Sequence, residues 1–232
     1  MFHAAGRPLE LRRIALPELA TGEVLVRVTC ATLCGSDLHT YQGRRRAPTP
    51  TVLGHEIIGH VEEVGPGVTR VKAGDHVVCS FIPNCGTCRY CSTGRQNLCD
   101  MGATILEGCM PDGSFRRRDD KGTEFGAMCM LGTFSQYGVI HQNSCIKVDD
   151  DLPLEKAVLV GCGVPTGWGA AVNTANVSAG DTVAIYGIGG IGINAVQGAR
   201  LSGAKNIVAI DPLENKREKA MELGATHAFA SA

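Results

Sequence analysis

The 232-residue chain carries 22 Lys and Arg against 23 Asp and Glu, a formal net charge of -1 that leaves no basic field for nucleic acid or anionic lipid. Its 44% hydrophobic content, 30 glycines and 5% aromatic content point to a Gly-rich β or α/β protein with material for one large domain or two small ones, and no span approaches a membrane helix. Eleven cysteines behind an N-terminus, Met1-Phe2-His3-Ala4-Ala5-Gly6-Arg7, that lacks a charged segment followed by an apolar stretch favour metal-bound thiolates in a reducing cytosol over extracellular disulfides.

From Met1 to about His141 the pattern is short strands cut by Gly and Pro. Glu23 to Thr29 alternates with period two, Ile57 to Val64 is β-rich, and His76 to Ile82 follows a Gly74-Asp75 turn, which predicts a compact antiparallel barrel. Cys34 ends the first strand and begins Gly35-Ser36-Asp37-Leu38-His39, and His55 sits in Gly54-His55-Glu56. Between them Arg44-Arg45-Arg46 is the one cationic run that stands out; it reads as a solvated loop, with a phosphate clamp as the alternative. Cys85, Cys88, Cys91 and Cys99 follow in the order C-x-x-C-x-x-C-x7-C, a spacing that wraps four thiolates around one closed tetrahedral zinc in a lobe at 84–100. A zinc-ribbon nucleic-acid module is the competitor, but only Arg89 and Arg95 decorate the lobe. The polar, Gly-rich stretch from Asp100 to Leu131, with Arg116-Arg117-Arg118-Asp119-Asp120, predicts a long surface loop before a strand at Thr133 to His141.

Near Leu154 the period changes. Leu154 to Leu159 and Pro165 to Ala175 read as helices, followed by a strand (Asp181 to Tyr186), a helix (Ile191 to Leu201), a strand (Asn206 to Ile210), a charged helix (Glu214 to Leu223) and the start of a further strand (Thr226 to Ala230). That order is the start of a doubly wound parallel sheet, so the fold class is α/β plus β. The turn Gly187-Ile188-Gly189-Gly190-Ile191-Gly192 follows a strand and opens a helix, and Asp211 lies 19 residues beyond its last glycine. Glycines let a pyrophosphate approach the N–H groups of the helix N-terminus, and the carboxylate suits the ribose hydroxyls of NAD while repelling the 2′-phosphate of NADP. Lys216 is placed to flank the adenosine or to remain a solvated helix lysine. Cys34, His55 and Cys162 together offer two thiolates and one imidazole, the set that leaves a fourth zinc position open, whereas Cys30, Cys79, Cys109, Cys129 and Cys145 belong to no metal spacing.

On these motifs the chain resembles the zinc-containing alcohol dehydrogenases of the medium-chain dehydrogenase/reductase superfamily from its first strand to its last residue. The resemblance implies a GroES-like catalytic domain over 1–163 and a partial Rossmann NAD-binding domain over 164–232. It implies two Zn2+ ions, a catalytic one on Cys34, His55 and Cys162 with Glu56 as an exchanging ligand and Asp37 orienting His55, and a structural one on Cys85, Cys88, Cys91 and Cys99. Ser36 would take the substrate proton and His39 pass it to solvent, their alternatives being a helix N-cap hydroxyl and a surface histidine. Thr166 would pack beside the nicotinamide of NAD, and Gly187, Gly189, Gly190, Ile191, Gly192, Asp211 and Lys216 would hold the rest.

The implied reaction is hydride transfer between a primary or secondary alcohol and NAD, giving an aldehyde or ketone. A thiol adduct of formaldehyde is the alternative substrate, because the loop before Gly132 resembles class III enzymes and bacterial relatives with tightly held NAD. The expected setting is cytoplasmic, with a small-molecule substrate, no nucleic acid, no membrane, and a homodimer or homotetramer in the full-length form. Gly35 replaces the cation that many relatives place after the first zinc cysteine. Family members also continue past Ala232, so the 232-residue polypeptide is expected to bind its structural zinc and to turn over alcohol poorly. A noncatalytic zinc-stabilised module and a zinc-free quinone reductase relative are the rival readings.

Overall fold

The computed structural model describes residues 1–47 and 50–230. They fall into two units, Met1–Gly161 and a second beginning at Cys162, a division two residues before the boundary expected from the sequence.

In the first unit β1 (Glu23–Ala31) alternates in burial as its sequence alternates, with Val24 and Val26 fully buried and Arg27 exposed. It is followed by α1 (Gly35–Tyr41), β2 (Thr51–Val52), β3 (Ile57–Val64), β4 (His76–Cys79), β5 (Arg117–Arg118), β6 (Glu124–Ala127), β7 (Tyr137–His141), β8 (Cys145–Lys147) and the short α2 (Leu154–Ala157). Five strands form an antiparallel sheet in the order β7-β1-β3-β4-β8, whose inner face buries Val24, Val26, Ile57, Val61, Val77 and Ile140. Gly59 on β3 is fixed by a close approach: a Cβ there would lie 2.2 Å from the Arg27 carbonyl oxygen, so no other residue fits without moving β1.

A second, three-stranded sheet runs β2-β6-β5, in which β5 and β6 are antiparallel but β2 and β6 are parallel. This departs from the all-antiparallel expectation. Thr51 pairs with Gly126 far along the chain, so no tight hairpin turn dictates the strand direction.

The stretch expected as a surface loop before residue 132 is also partly core. Cys109, Met110, Phe125 and the run Met128-Cys129-Met130-Leu131 are buried, and buried Arg117 donates to the Leu131 carbonyl at 2.7 Å. The charged run at 116–120 concealed this in the sequence, because one of its arginines turns inward to satisfy a backbone acceptor. Cys129 and Met130 both adopt left-handed backbone, with φ of 53° and 62°.

In the second unit α3 (Gly163–Gly169) continues as a π-helical turn over Ala170–Thr174. Then come β9 (Thr182–Tyr186), α4 (Gly190–Leu201), β10 (Asn206–Ile210), α5 (Glu214–Leu223) and β11 (His227–Phe229). The three strands are parallel in the order β11-β10-β9, and Ile185, Val196, Ile207, Ala209 and Ala220 bury against one another. The expected strand–helix–strand–helix–strand order is thus realised. Among the described residues no helix is long and apolar enough to cross a membrane.

Candidate active site

The β1–β3 ladder delivers Cys34 and His55 to one place. Its last pair is Ala31 with Ile57, and the Thr32 N–H donates onward to the Glu56 carbonyl at 3.2 Å, so the chain leaving β1 runs beside the chain entering β3. Gly54 permits the approach from the other side. Its φ is +91°, and a Cβ would sit 2.4 Å from Thr133 Oγ1, so only glycine lets the His55 segment pack on the 133–134 turn, where the Thr133 N–H donates to the Gly54 carbonyl. Gly161 packs near the Glu56 Cα and the Cys79 carbonyl, and Cys162 is bonded directly to it. One ligand atom from each of Cys34, His55, Glu56 and Cys162 lies within 4.8 Å of the others.

Asp37 organises this cluster from α1. Only 1% exposed, it accepts the Cys34 N–H at 2.9 Å and the Gly54 N–H at 3.1 Å, and its Oδ1 faces His55 Nδ1 at 3.3 Å. That contact leaves His55 Nε2 toward Glu56 Oε1, 3.8 Å away, while Phe81 meets the imidazole edge-on. Burial works to strip the proton from His55, but hydrogen bonds to Asp37 and Cys34, with their charges, outweigh it and hold the group up at about 9. Glu56 is raised above the ordinary carboxyl range chiefly by burial, against the opposing hydrogen bond from Thr32 Oγ1 at 2.8 Å. Thr32 and Thr133 were not foreseen; a threonine two residues before a cysteine carries no distinctive sequence signal.

Two sulfurs, an imidazole and a carboxylate suit zinc. With bonds of about 2.0–2.3 Å, tetrahedral ligand atoms stand about 3.3–3.8 Å apart, which this cluster reaches by a small contraction. A bound cation would also displace the imidazole proton and compensate the concentrated negative charge.

Cys85, Cys88, Cys91 and Cys99 form a second cluster, their sulfurs likewise within 4.8 Å of one another. The Cys88 and Cys91 N–H groups point at the sulfurs of Cys85 and Cys88 at 3.3 and 3.5 Å. The Cys88 N–H, with Thr87, pulls the Cys85 thiol down to about 6, whereas burial pushes Cys91 up to about 12. Four sulfurs so close cannot all ionise without a cation, and an all-cysteine set is the donor chemistry of a structural zinc.

Ser36 and His39 lie on α1 with Asp37. Ser36 is half-buried, and His39 is exposed, three positions further on the same helix.

In the second unit the glycine loop is built as a cradle. Gly187 has φ +85°, and a Cβ on Gly192 would fall 1.9 Å from the Gly187 carbonyl oxygen, so both are demanded by the turn itself. Gly189 and Gly190 have open space where a Cβ would stand, at the entry to α4. Nothing in the chain requires glycine there, and a phosphate brought against the backbone would. Gly167, unremarked in the sequence, is also obligatory, since its Cβ would meet the Ile191 carbonyl oxygen at 2.2 Å. Beside it, Thr166 Oγ1 donates to the Cys162 carbonyl at 2.8 Å.

Asp211 is placed differently from the simple expectation. Its carboxylate is buried and already accepts the Ile188 N–H at 2.8 Å and the Leu213 N–H at 2.9 Å, leaving one lone pair per oxygen for any hydroxyl. The Leu213 N–H, with that of Ile188, holds it below the usual carboxylate range. Lys216 Nζ stands 3.8 Å from it, and Arg217 donates to the Asp211 and Pro212 carbonyls.

Residues 20–150 match the family model of the alcohol dehydrogenase GroES-like domain and residues 190–232 that of the zinc-binding dehydrogenase. The chain is 64% identical over 232 residues to the NDMA-dependent alcohol dehydrogenase of Amycolatopsis methanolica, covering 100% of this chain and 62% of that protein. It is 41% identical over 224 residues to the S-(hydroxymethyl)glutathione dehydrogenase of Saccharomyces cerevisiae, covering 96% and 58%. The crystal structure of an alcohol dehydrogenase zinc-binding domain protein from Burkholderia ambifaria superimposes with a TM-score of 0.89 at 38% identity, covering 98% of this chain and 62% of that one. The chain therefore spans about three fifths of the length of these relatives. Matched over more than half its residues, with both cysteine clusters assembled, the chain belongs to the alcohol dehydrogenases with a GroES-like domain, within the zinc-containing medium-chain dehydrogenase/reductase superfamily.

Proposed function

We propose that the protein is a zinc- and NAD-dependent alcohol dehydrogenase, exchanging a hydride between a primary or secondary alcohol and NAD. The observation that carries this reading is the convergence of Cys34, His55 and Cys162 with Glu56, three soft or imidazole donors and one exchangeable carboxylate. Cys34, His55 and Cys162 would hold the reactive zinc and Cys85, Cys88, Cys91 and Cys99 the structural one. Zinc in such a donor set supplies Lewis acidity that makes an alcohol proton easier to lose, and a nicotinamide supplies the hydride acceptor.

The chain's own residues do the rest. Asp37 holds His55 by Nδ1, fixing which ring nitrogen is presented to the cluster. Ser36 Oγ receives the hydroxyl proton, and His39, exposed three positions along α1, hands it to solvent, a relay contributing about 10²–10⁴-fold. Gly189, Gly190, Ile191 and Gly192 present backbone N–H groups to the pyrophosphate. Asp211 keeps a carboxylate at the ribose position, with Lys216 beside it, which favours NAD over NADP. Thr166 packs beside the nicotinamide.

The test is NAD reduction by the zinc-loaded protein in its full-length form across a panel of primary and secondary alcohols and S-(hydroxymethyl)glutathione, with NADP in parallel. Alcohol-dependent NADH formation lost on Cys34→Ser supports the reading. A zinc-replete full-length protein that turns over none of them overturns it.

A further inference from the structure

Of the four donors in the Cys34–His55 cluster, Glu56 alone brings two equivalent atoms, so which oxygen meets the other donors is decided by what holds its twin. Oε1 stands 3.8 Å from His55 Nε2, at the outer edge of the spacing of two ligands on one tetrahedral ion, whereas Oε2 accepts the Thr32 hydroxyl at 2.8 Å. Glu56 is 4% exposed, and among the described residues no lysine or arginine stands within ion-pair distance of it, so no surface cation competes for Oε2 and little water reaches it.

The tether is firm at its other end. Thr32 follows the last β1–β3 pair, and its N–H donates to the Glu56 carbonyl at 3.2 Å, so the backbone and side chain of one residue hold the backbone and side chain of the other. A β-branched side chain has few χ1 rotamers, and in this register threonine keeps its hydroxyl on the carboxylate without a flexible stem. An O–H donating to a carboxylate is charge-assisted and stronger than a neutral hydrogen bond. While that bond is made, Oε2 is turned from the cluster. The carboxylate then has Oε1 alone to give, and it can swing Oε1 away with Oε2 as the pivot.

We propose that Thr32 is a positioning residue for Glu56: by holding Oε2 it limits the carboxylate to one oxygen at the open cluster and keeps that oxygen easy to displace, so that an alcohol can take the fourth position. This rests on the dehydrogenase reading above and deepens it, assigning to a residue that touches neither ion nor substrate the balance between carboxylate and alcohol. Without the hydroxyl both oxygens are free to close on the ion, and the substrate must compete with a two-pronged anion.

The experiment loads the full-length protein with zinc on the four-cysteine cluster and cobalt(II) on the open one. It compares wild type, Thr32→Val and Thr32→Ser by visible absorption, by the rate of cobalt transfer to a chelator, and by kcat and KM for 1-hexanol. Cobalt d–d bands weaken as coordination rises from four to five, so they follow the carboxylate directly. In Thr32→Val, which keeps the shape and removes the hydroxyl, the bands are expected to weaken, cobalt transfer to slow, and KM to rise about tenfold or more with kcat falling less. Thr32→Ser is expected to restore all three. Bands unchanged or intensified in Thr32→Val, or changes that persist in Thr32→Ser, overturn the proposal. Should Thr32→Val fail to fold, Thr32→Ala, which also lacks the hydroxyl, takes its place under the same criteria. The two readings fail differently: NADH formed from 1-hexanol with bands indifferent to Thr32→Val sinks only the tether, whereas bands that weaken in Thr32→Val and recover in Thr32→Ser, with no NADH from any alcohol, sink only the redox assignment.

Discussion

Asp37 is engaged three ways, by the Cys34 and Gly54 amides, whose N–H groups it accepts, and by the His55 ring. Asp37→Asn keeps the shape but removes the charge that orients the imidazole. It is expected to lower zinc affinity at the Cys34–His55 cluster by about 10–100-fold while leaving the all-cysteine cluster loaded, as read by competition with a chelator. Gly192→Ala is the harsher change, since its methyl would overlap the Gly187 carbonyl oxygen; a loss of about 1–3 kcal/mol or more in thermal or denaturant unfolding is expected, with weakened NAD binding in whatever remains folded. The sequence made Gly187 and Gly192 legible as a fingerprint, because strand, turn and helix surround them. It did not reveal that Asp211 would spend one lone pair of each oxygen on the Ile188 and Leu213 amides, since that depends on how the loop after β10 closes over the carboxylate.

Elements with a strong period were read correctly, and those held by distant partners were not. Ile57–Val64, Asn206–Ile210 and Glu214–Leu223 coincide with the expected bounds. The parallel pairing of β2 with β6 and the inward turn of Arg117 depend on residues far away in the chain, which no local pattern encodes. The β4–β8 pair shows how one ion pair can tie elements together. Asp75, buried just before β4, accepts from Lys147 Nζ of β8 at 2.7 Å and from the Lys72 N–H at 2.9 Å, and Lys147 above all holds its carboxyl below the usual range. A depressed folded value means the stabilisation is complete above the unfolded carboxyl's value of about 3.9 and is lost as pH falls through the lower, folded value. Thermal melts from pH 6 down to pH 2 are expected to show this acid-side loss, and Asp75→Asn to flatten it while lowering the melting temperature at neutral pH.

At the scale of the molecule, two clusters of different character predict two metals with different jobs. Native mass spectrometry of the zinc-loaded protein is expected to count two ions per chain, falling to one in Cys34→Ser with the fold retained. Stripping the all-cysteine cluster is expected to loosen the 84–100 lobe, where the Cys85, Cys88 and Cys91 N–H groups point at cysteine sulfurs, and to raise protease cleavage there. The spacing of Cys85, Cys88, Cys91 and Cys99 was legible because all four lie within one lobe. Cys34, His55 and Cys162 are spread over most of the chain and acquire meaning only jointly, while the glycines that let them meet, Gly54 and Gly161, are silent until their neighbours are in place.

Because Cys34 and His55 hang from opposite rails of the β1–β3 ladder, an ion that grips both must also resist the separation of those rails. Occupancy and strand pairing then draw on a shared free energy, and the backbone amides near Ala31 and Ile57 become reporters of the metal. Deuterium uptake there should slow when zinc is added and quicken when it is withdrawn, even though neither amide belongs to a ligand.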